Sequence, residues 1–310
     1  MKKTTKVICA TIAATCVCGL TACGGGEKNI SIIVREAASG TREAFDKVVT
    51  DGEHFLQEKD SAGNTVYNTS KSAIQQTSTG TVLSAVASDI NAIGYISLGS
   101  VNDSVNVVKV NGVAPSAESV LSGDYEIQRP FVIMTKSETT LTARAQDFMH
   151  YLYSDETAAH ATAAGCIFLE EENARANVGQ TGIPVIEYSP LANLPEGDKI
   201  VIRGSTSMEK FINAAAKGYA EQYAAKAEEV FDIELNGSSE GRKAVEKDTT
   251  GNVIGLSSAA VNNDKIDSFN VCLDAVAVVV NKKNTSVNDL TLKQLYEIFS
   301  GKVAKFSEIS

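Results

Sequence analysis

The sequence has no tryptophan and only three histidines in 310 residues. His54, His150 and His160 are scattered, and no Cys-x-x-Cys pair accompanies them, so the pattern argues against a zinc site. We therefore expect no metal and no cofactor. Acidic residues outnumber basic ones by 38 to 28, and the formal charge of −10 argues against nucleic acid or an anionic surface as the partner. A small anion remains compatible with this charge, because backbone N–H groups and hydroxyls can bind one locally.

Long apolar runs are missing except at the N-terminus. There, a basic start, "MKKTTK", precedes the apolar stretch "VICATIAATCVCGLTA", which is too short to span a bilayer comfortably. It ends in "LTAC", which resembles the lipobox of bacterial lipoprotein signal peptides. The resemblance implies a signal over residues 1–22, lipid attachment to Cys23, a tether over 23–29 and a place on the extracytoplasmic face of the cell membrane. An ordinary secretory signal is the alternative.

Cysteine is also scarce in the mature chain. Cys166 and Cys272 are the two that remain besides the lipidated Cys23. They could pair as a disulfide or stay as buried free thiols, and the sequence does not decide between these states.

Short β-branched runs alternate with helix-like stretches, which favours an α/β fold with mainly parallel sheets. The predicted strands are "ISIIV", "AIGYISL", "VNVVKV", "FVIMT", "KIVIRG", "EVFDIEL", "VIGLSS" and "VAVVVN", and the predicted helices cover 41–50, 80–89, 139–154, 155–164, 207–225, 239–247 and 291–299. Residues 169–199 have weak periodicity and several Pro and Gly, which is typical of a surface connection between two halves.

Four stretches place hydroxyl side chains where a strand meets a helix or ends. They are "REAASGTREAF", "VIRGSTSMEKF", "ELNGSSEGRKAV" and "VIGLSSAAV". A helix N-terminus has unpaired N–H donors and partial positive charge, so each hydroxyl could cap its helix or serve a bound oxyanion. Arg35 adds a guanidinium suited to two oxygens of phosphate or sulfate, although a salt bridge with Glu36 or Glu43 is the alternative.

These four stretches resemble motifs of the phosphate-binding proteins of bacterial high-affinity phosphate ABC importers. "IVREAASGTREAF" is similar to the family's R-E-x-x-S-G-T-R-x-x-F motif, "GSTSMEKF" and "LNGSSEGRKAV" to its two phosphate loops, and "LDAVAVVVNKKNTSVNDLTLKQLYEIFSGKVAKFSEIS" to a further family stretch. The resemblance covers nearly all of residues 30–310. It implies a two-lobed periplasmic-binding-protein-like fold, each lobe a mainly parallel sheet flanked by helices, with the ligand cleft between the lobes.

The order of the segments differs from the family pattern. In the family "GSTS" comes first, whereas here "SGTR" opens the mature chain and "GSTS" begins near residue 200. We interpret this order as a circular permutation, which is tolerated when the joined ends lie close together on the surface. A truncated tandem product, or half-proteins that pair between chains, is the alternative. Permutation predicts a split lobe from 30–128 plus 276–310 and a continuous lobe over 130–275, with β-strand crossings near Arg129–Phe131 and Asp274–Val278.

The resemblance also implies the ligand contacts. They are Arg35, Ser39, Gly40, Thr41, Thr206, Ser207, Ser239 and Ser258. Gly40 would let the backbone approach the ligand because it has no Cβ. Several family members carry a carboxylate where this chain has Ser258, so selection of phosphate over sulfate would need another acceptor, for which Asp274 and Glu240 are candidates.

The function predicted from these features is capture of inorganic phosphate by a monomeric, lipid-anchored binding protein that delivers it to an ABC permease in the membrane. A binding protein for sulfate or molybdate, or a phosphate sensor without a transport role, would use the same contacts. An acyl-transferring enzyme is the remaining alternative, because Ser207 and Lys210 have the Ser-x-x-Lys spacing of penicillin-recognising enzymes. No "SDN" or "KTG" motif accompanies that pair, so we predict a protein that is not an enzyme.

Overall fold

The computed structural model describes residues 28–168 and 187–309 of the chain. The predicted signal, Cys23 and the first part of the predicted connection, 169–186, lie outside the described residues. The rest of that connection, 187–199, has neither helix nor strand, as the sequence predicts.

The secondary structure consists of short strands and helices in alternation. The strands are β1 (Ser31–Arg35), β2 (Gln57–Lys59), β3 (Thr65–Tyr67), β4 (Ile74–Gln76), β5 (Ala92–Ser97), β6 (Val105–Val110), β7 (Gln128–Lys136), β8 (Ile167–Phe168), β9 (Ile200–Gly204), β10 (Phe231–Glu234), β11 (Val253–Ser257), β12 (Ile266–Asn281) and β13 (Asp289–Leu290). The helices are α1 (Gly40–Val48), α2 (Thr79–Ser88), α3 (Ala117–Leu121), α4 (Ala143–Leu152), α5 (Asp155–Ala163), α6 (Glu209–Gln222), α7 (Ala227–Val230), α8 (Ser238–Lys247) and α9 (Leu292–Ser300). Single 3₁₀ turns occur at Leu98–Ser100, Thr206–Met208 and Phe306–Glu308.

Hydroxyl side chains begin many of these helices. Ser39, Ser78, Thr142 and Thr291 each accept a hydrogen bond from a backbone N–H of the first helical turn. Such caps satisfy donors that have no partner inside the helix. α9 ends at Gly301, whose φ of 81° lies in the left-handed region that glycine adopts without strain. Local sequence therefore sets where these helices start and stop.

Eleven of the described strands form one curled, mixed sheet whose main path runs β10-β9-β11-β7-β12-β5-β1-β4. The outer pairs β10–β9, β9–β11, β5–β1 and β1–β4 are parallel, as predicted. The strands β7 and β12 are antiparallel to each other. On their outer sides, β7 is antiparallel to β11, and β12 is antiparallel to β5. The strands β7 and β12 connect the two halves of the molecule in opposite directions, which is why the sheet is mixed at its centre.

The buried apolar side chains gather on both sides of that centre. One large cluster lies in the first lobe, formed by β1, β5, β6, α1 and the chain's last helix, α9. Another lies in the second lobe, formed by β9, β10, β11 and helices α4, α5 and α6. The opposite sheet faces are covered by α2 in the first lobe and α8 in the second. Each lobe is thus a sheet with helices on both faces, the usual α/β arrangement.

Both ends of the described chain lie in the first lobe. The backbone N–H of Ile30, before β1, donates to the carbonyl of Ala304, 2.8 Å away. Along β7 the buried side chains change from the first cluster at Ile127 to the second at Phe131. Along β12 the change occurs between Cys272 and Leu273. Each of these two paired strands therefore adjoins both apolar clusters.

The two cysteines of the described chain, Cys166 and Cys272, are free and buried. Burial raises the pKa of the Cys272 thiol well above its ordinary range. Within the ranges that the structure describes, no helix is both long and apolar enough to cross a membrane. Across the same ranges, no group of three or more His, Cys, Asp or Glu side chains is placed to hold a metal ion.

Candidate functional site

The predicted hydroxyl stretches meet between the two lobes. Three of them follow the parallel neighbours β9, β10 and β11, whose carboxyl ends lie at one edge of the sheet. The fourth, between β1 and α1, reaches that edge from the first lobe. Crevices beyond the carboxyl ends of parallel strands are the usual ligand sites of open α/β sheets. The topology therefore brings together segments that are up to about two hundred residues apart in sequence.

One group of hydroxyls forms bonds from lobe to lobe. Thr41 Oγ1 lies 3.0 Å from Ser207 Oγ, and Thr79 Oγ1 lies 3.1 Å from the same atom. Thr79 Oγ1 is also 3.3 Å from Thr206 Oγ1. All four residues are buried. Thr41 and Thr79 belong to the first lobe and Thr206 and Ser207 to the second, so both lobes contribute donors to one small polar region.

A second group of hydroxyls surrounds Ser258 at the end of β11. Ser205 Oγ donates to Ser258 Oγ over 2.9 Å, and Ser238 Oγ lies 3.3 Å from it. The Ser258 backbone N–H donates to Ser238 Oγ. Gly40 contacts this group from the first lobe: a Cβ at that position would lie 2.7 Å from both the carbonyl carbon and the carbonyl oxygen of Ser258. Only glycine allows this approach of the two lobes.

Arg35 lies beside the first group and is 2 % exposed. Its Nε and Nη2 donate to the two carboxylate oxygens of Glu36 over 2.9 and 2.7 Å, so the salt bridge weighed from the sequence exists. Its Nη1 donates to Thr79 Oγ1 over 3.3 Å. The Nε and Nη2 edge of the guanidinium is therefore bonded to Glu36, and Nη1 points toward the hydroxyls.

A second buried guanidinium approaches the same hydroxyls from β7. Arg129 Nε and Nη2 donate to Asp274 Oδ2 on β12 over 3.0 and 2.7 Å, and Arg129 Nη1 donates to Thr41 Oγ1 over 2.5 Å. Asp274 Oδ1 accepts from Ser97 Oγ. Burial raises the pKa of the Asp274 carboxyl, and the charge and hydrogen bonds of Arg129 oppose that rise. Both carboxylate oxygens of Asp274 thus accept hydrogen bonds from within the protein, from Arg129 and Ser97.

Two of the predicted contacts, Ser39 and Ser239, bond to backbone groups instead. Ser39 Oγ accepts from the N–H groups of Thr41 and Arg42, so it caps α1. Ser239 Oγ donates to the carbonyl of Ala38, which joins the lobes at the rim of the cleft. The other six predicted residues lie in or against the two hydroxyl groups.

Sequence reasoning missed Thr79, Arg129, Ser205 and Ser238 as site residues. Thr79 had a usable signal, because "STGT" places three hydroxyls and a glycine at the head of a predicted helix, the same pattern as at Ser39–Thr41. Arg129 had no such signal beyond its place at a predicted crossing, because a single arginine before an apolar strand does not indicate that the arginine is buried.

The remaining candidates lie elsewhere. Glu240 is exposed and pairs with Lys243, 2.8 Å away. Lys210, the lysine of the Ser-x-x-Lys spacing, donates to the carbonyl of Gly99 in the first lobe. Ser207 is instead bonded to Thr41 and Thr79, so the geometry that would let a lysine activate this serine is not present among these contacts.

Asp46, near the C-terminal end of α1, has a buried carboxyl with a perturbed pKa. Arg42 donates to it over 2.9 Å, but burial dominates and raises its pKa from 3.8 to about 6. Because the folded state holds this proton more tightly than the unfolded chain, its contribution to stability is complete below pH 4 and is lost as pH rises through about 6.

We expect Asp46→Asn to remove this pH dependence. The unfolding free energy of the native protein, relative to the variant, should fall by on the order of 2–3 kcal/mol between pH 4 and pH 7. Urea unfolding of both proteins at the two pH values measures the difference. Equal differences at both values would contradict the assignment.

Comparison with known proteins agrees with this geometry. A family model described as a PBP superfamily domain matches residues 19–156 and 174–308. The phosphate-binding protein PstS 2 of Streptococcus pneumoniae is 33% identical over 302 residues, which cover 94% of each chain. A solved structure of a phosphate ABC transporter phosphate-binding protein from the same species has a TM-score of 0.63 and 34% identity, and the match covers 91% of this chain and 100% of that one. The phosphate-binding protein PstS of Bacillus subtilis is 30% identical over 134 residues, 43% of this chain and 39% of that protein.

Both the superfamily match and the identity to PstS 2 extend over most of the chain. This chain therefore belongs to the PBP superfamily, in the family of phosphate-binding proteins that the PstS 2 relatives represent. Since the alignment with the pneumococcal protein runs through 94% of each chain, the order of segments found here is shared with that relative.

Proposed function

We propose that this chain is an extracytoplasmic binding protein that captures inorganic phosphate and delivers it to an ABC permease. The observation that carries the proposal is the buried set of hydroxyls from both lobes, Thr41, Thr79, Thr206 and Ser207, beside the guanidinium of Arg35. Removing a doubly charged anion from water requires many charge-assisted hydrogen bonds, and this set supplies them. The names of the relatives support phosphate as the anion.

Capture requires the lobes to part and close. We infer that the division follows 30–128 with 276–310 on one side and 130–275 on the other, with β7 and β12 as the hinge. The separate apolar clusters of the two lobes support this division. Hinge closure around a ligand would bring Ser207 and Ser258 onto Thr41 and Gly40, the contacts seen here. The proximity of Ile30 and Ala304, with the short Bacillus subtilis match, supports circular permutation as the origin of the segment order.

The site contacts favour binding over catalysis. Ser207 has hydroxyl partners and Lys210 a backbone carbonyl, so neither is arranged as a nucleophile and its base. The lipid anchor at Cys23 rests on the "LTAC" stretch, and the mass of the N-terminal peptide from membrane fractions would reveal the modification or its absence. We propose that the anchored protein acts as a monomer.

Isothermal titration calorimetry tests the ligand directly. Residues 24–310 should bind phosphate one to one, and calorimetry suits the protein because no tryptophan is present to report closure. Parallel titrations with sulfate and molybdate separate phosphate from the other oxyanions. A folded protein that gives heat with sulfate or molybdate alone would contradict phosphate as the ligand, and no binding of any of the three would overturn the proposal.

A further inference from the structure

Arg129 has one nitrogen that its ion pair with Asp274 does not use. Its side chain is 1 % exposed, and Nε and Nη2 both donate to Asp274 Oδ2. The remaining nitrogen, Nη1, donates to Thr41 Oγ1 over 2.5 Å. The ion pair thus fixes the guanidinium, and the guanidinium in turn contacts a hydroxyl that faces the second lobe.

This contact determines what the Thr41 hydroxyl can do. A threonine hydroxyl has one hydrogen and two acceptor sites. Because Thr41 accepts from Arg129, its own hydrogen is available for a different acceptor, and the partner in place is Ser207 Oγ, 3.0 Å across the cleft. Arg35 acts on Thr79 in the same way, and Thr79 Oγ1 lies 3.1 Å from Ser207 Oγ. Each arginine therefore occupies one acceptor site of a threonine and leaves the hydroxyl hydrogen free to point toward Ser207 Oγ.

We propose that Arg129 is a positioning residue of the anion site, which holds the Thr41 hydroxyl as a donor and so makes the site prefer the dianion over the monoanion. This inference rests on the proposed function and adds the charge state of the ligand. A hydroxyl held as a donor complements a ligand oxygen with free lone pairs. A protonated ligand oxygen at that point would place two donors against each other, which leaves one hydrogen without an acceptor.

The pH dependence of binding distinguishes this role from a structural one. Phosphate converts from monoanion to dianion near neutrality, whereas sulfate is a dianion throughout. Native protein should bind phosphate more tightly at pH 8 than at pH 6. The variant Arg129→Met/Asp274→Asn replaces the buried pair by neutral side chains and keeps an acceptor for Ser97. In this variant the ratio of the phosphate affinity at pH 8 to that at pH 6 should fall at least about threefold, and sulfate binding should weaken about tenfold.

A double-mutant cycle tests whether Arg129 acts through Thr41. Thr41→Val alone should reproduce the loss seen in Arg129→Met/Asp274→Asn, and combining the changes should add little. Arg203→Met/Asp232→Asn is the control, because this more exposed ion pair has the same 2.7 Å separation but lies outside the hydroxyl groups. If the variant with the neutral pair does not fold, Arg129→Lys keeps a charge beside Asp274. Its phosphate affinity should still lose the dependence on pH, because one ammonium cannot bond Asp274 and Thr41 as the planar guanidinium does.

Circular dichroism and thermal unfolding establish that each variant is folded. A folded variant whose affinity ratio between pH 8 and pH 6 is unchanged would overturn the inference. So would a combined variant in which the losses from Thr41→Val and from Arg129→Met/Asp274→Asn multiply. Native protein that binds no phosphate would instead count against the proposed function, so the two failures are distinguishable.

Discussion

Replacing Arg35 by alanine is expected to weaken phosphate binding by about 100- to 1000-fold. Truncating one partner of a buried charged pair costs about 2–5 kcal/mol, and each 1.4 kcal/mol is about tenfold in affinity. Two effects combine here. The ligand would lose the guanidinium of Arg35, and the Glu36 carboxylate, which both Arg35 bonds now neutralise, would be left without its partner. Calorimetric titration with phosphate measures the loss.

A control and a second variant sharpen this test. Arg144→Ala removes an arginine whose bonds go to the carbonyls of Pro195 and Asp198 in the second lobe, so its affinity should stay within about twofold of native. Arg35→Ala/Glu36→Ala should recover part of the affinity, because the uncompensated carboxylate is gone. Native affinity in folded Arg35→Ala would mean that Arg35 only supports Glu36 and does not serve the ligand.

Gly40→Ala is expected to abolish phosphate binding while leaving both lobes folded. The added Cβ would lie 2.7 Å from backbone atoms of Ser258, and backbone cannot move aside as a flexible side chain can. Gly40 and Ser258 belong to different lobes, so the clash is relieved by opening the cleft and not by unfolding. The affinity should fall at least about 100-fold, and the melting temperature should change little because alanine suits the first turn of α1.

Gly80→Ala provides the matched control. Gly80 also lies in the first turn of a helix at the cleft, but the nearest atom to its added Cβ is Ser78 Oγ at 3.9 Å. Its affinity should stay within about twofold of native. Small-angle scattering with and without phosphate should show compaction of the native protein and of Gly80→Ala, but none of Gly40→Ala. Compaction and tight binding in Gly40→Ala would contradict hinge closure at this contact.

The charge arrangement has a consequence for ligand selection. Asp274, considered from the sequence as a possible acceptor for a ligand proton, is occupied by Arg129 and Ser97, and Glu240 pairs with Lys243 on the surface. The groups around Ser258 are neutral hydroxyls, each able to accept or donate. A preference for phosphate over sulfate would therefore require one of these neutral hydroxyls to accept the hydrogen of the ligand, because donors at Thr41 and Thr79 suit both dianions.

The sequence by itself determined most of the local structure. β-branched runs and capping hydroxyls are local signals, so the principal strands and helices lie close to their predicted positions, and motifs such as "SGTR" and "GSTS" identified the stretches that meet in the cleft. The short strands β2, β3, β4, β8 and β13 were missed because two or three residues carry too little periodicity.

The tertiary structure alone decided which side chains share the cleft and how their hydrogen bonds run. Thr79 and Arg129 come from segments outside the four predicted hydroxyl stretches, and they reach Ser207 and Thr41 because strands far apart in sequence pair in one sheet. The free state of Cys166 and Cys272 and the burial of Arg129 beside Asp274 likewise depend on long-range packing. Burial and hydrogen-bond direction are properties of groups brought together by folding, and no local pattern of residues encodes them.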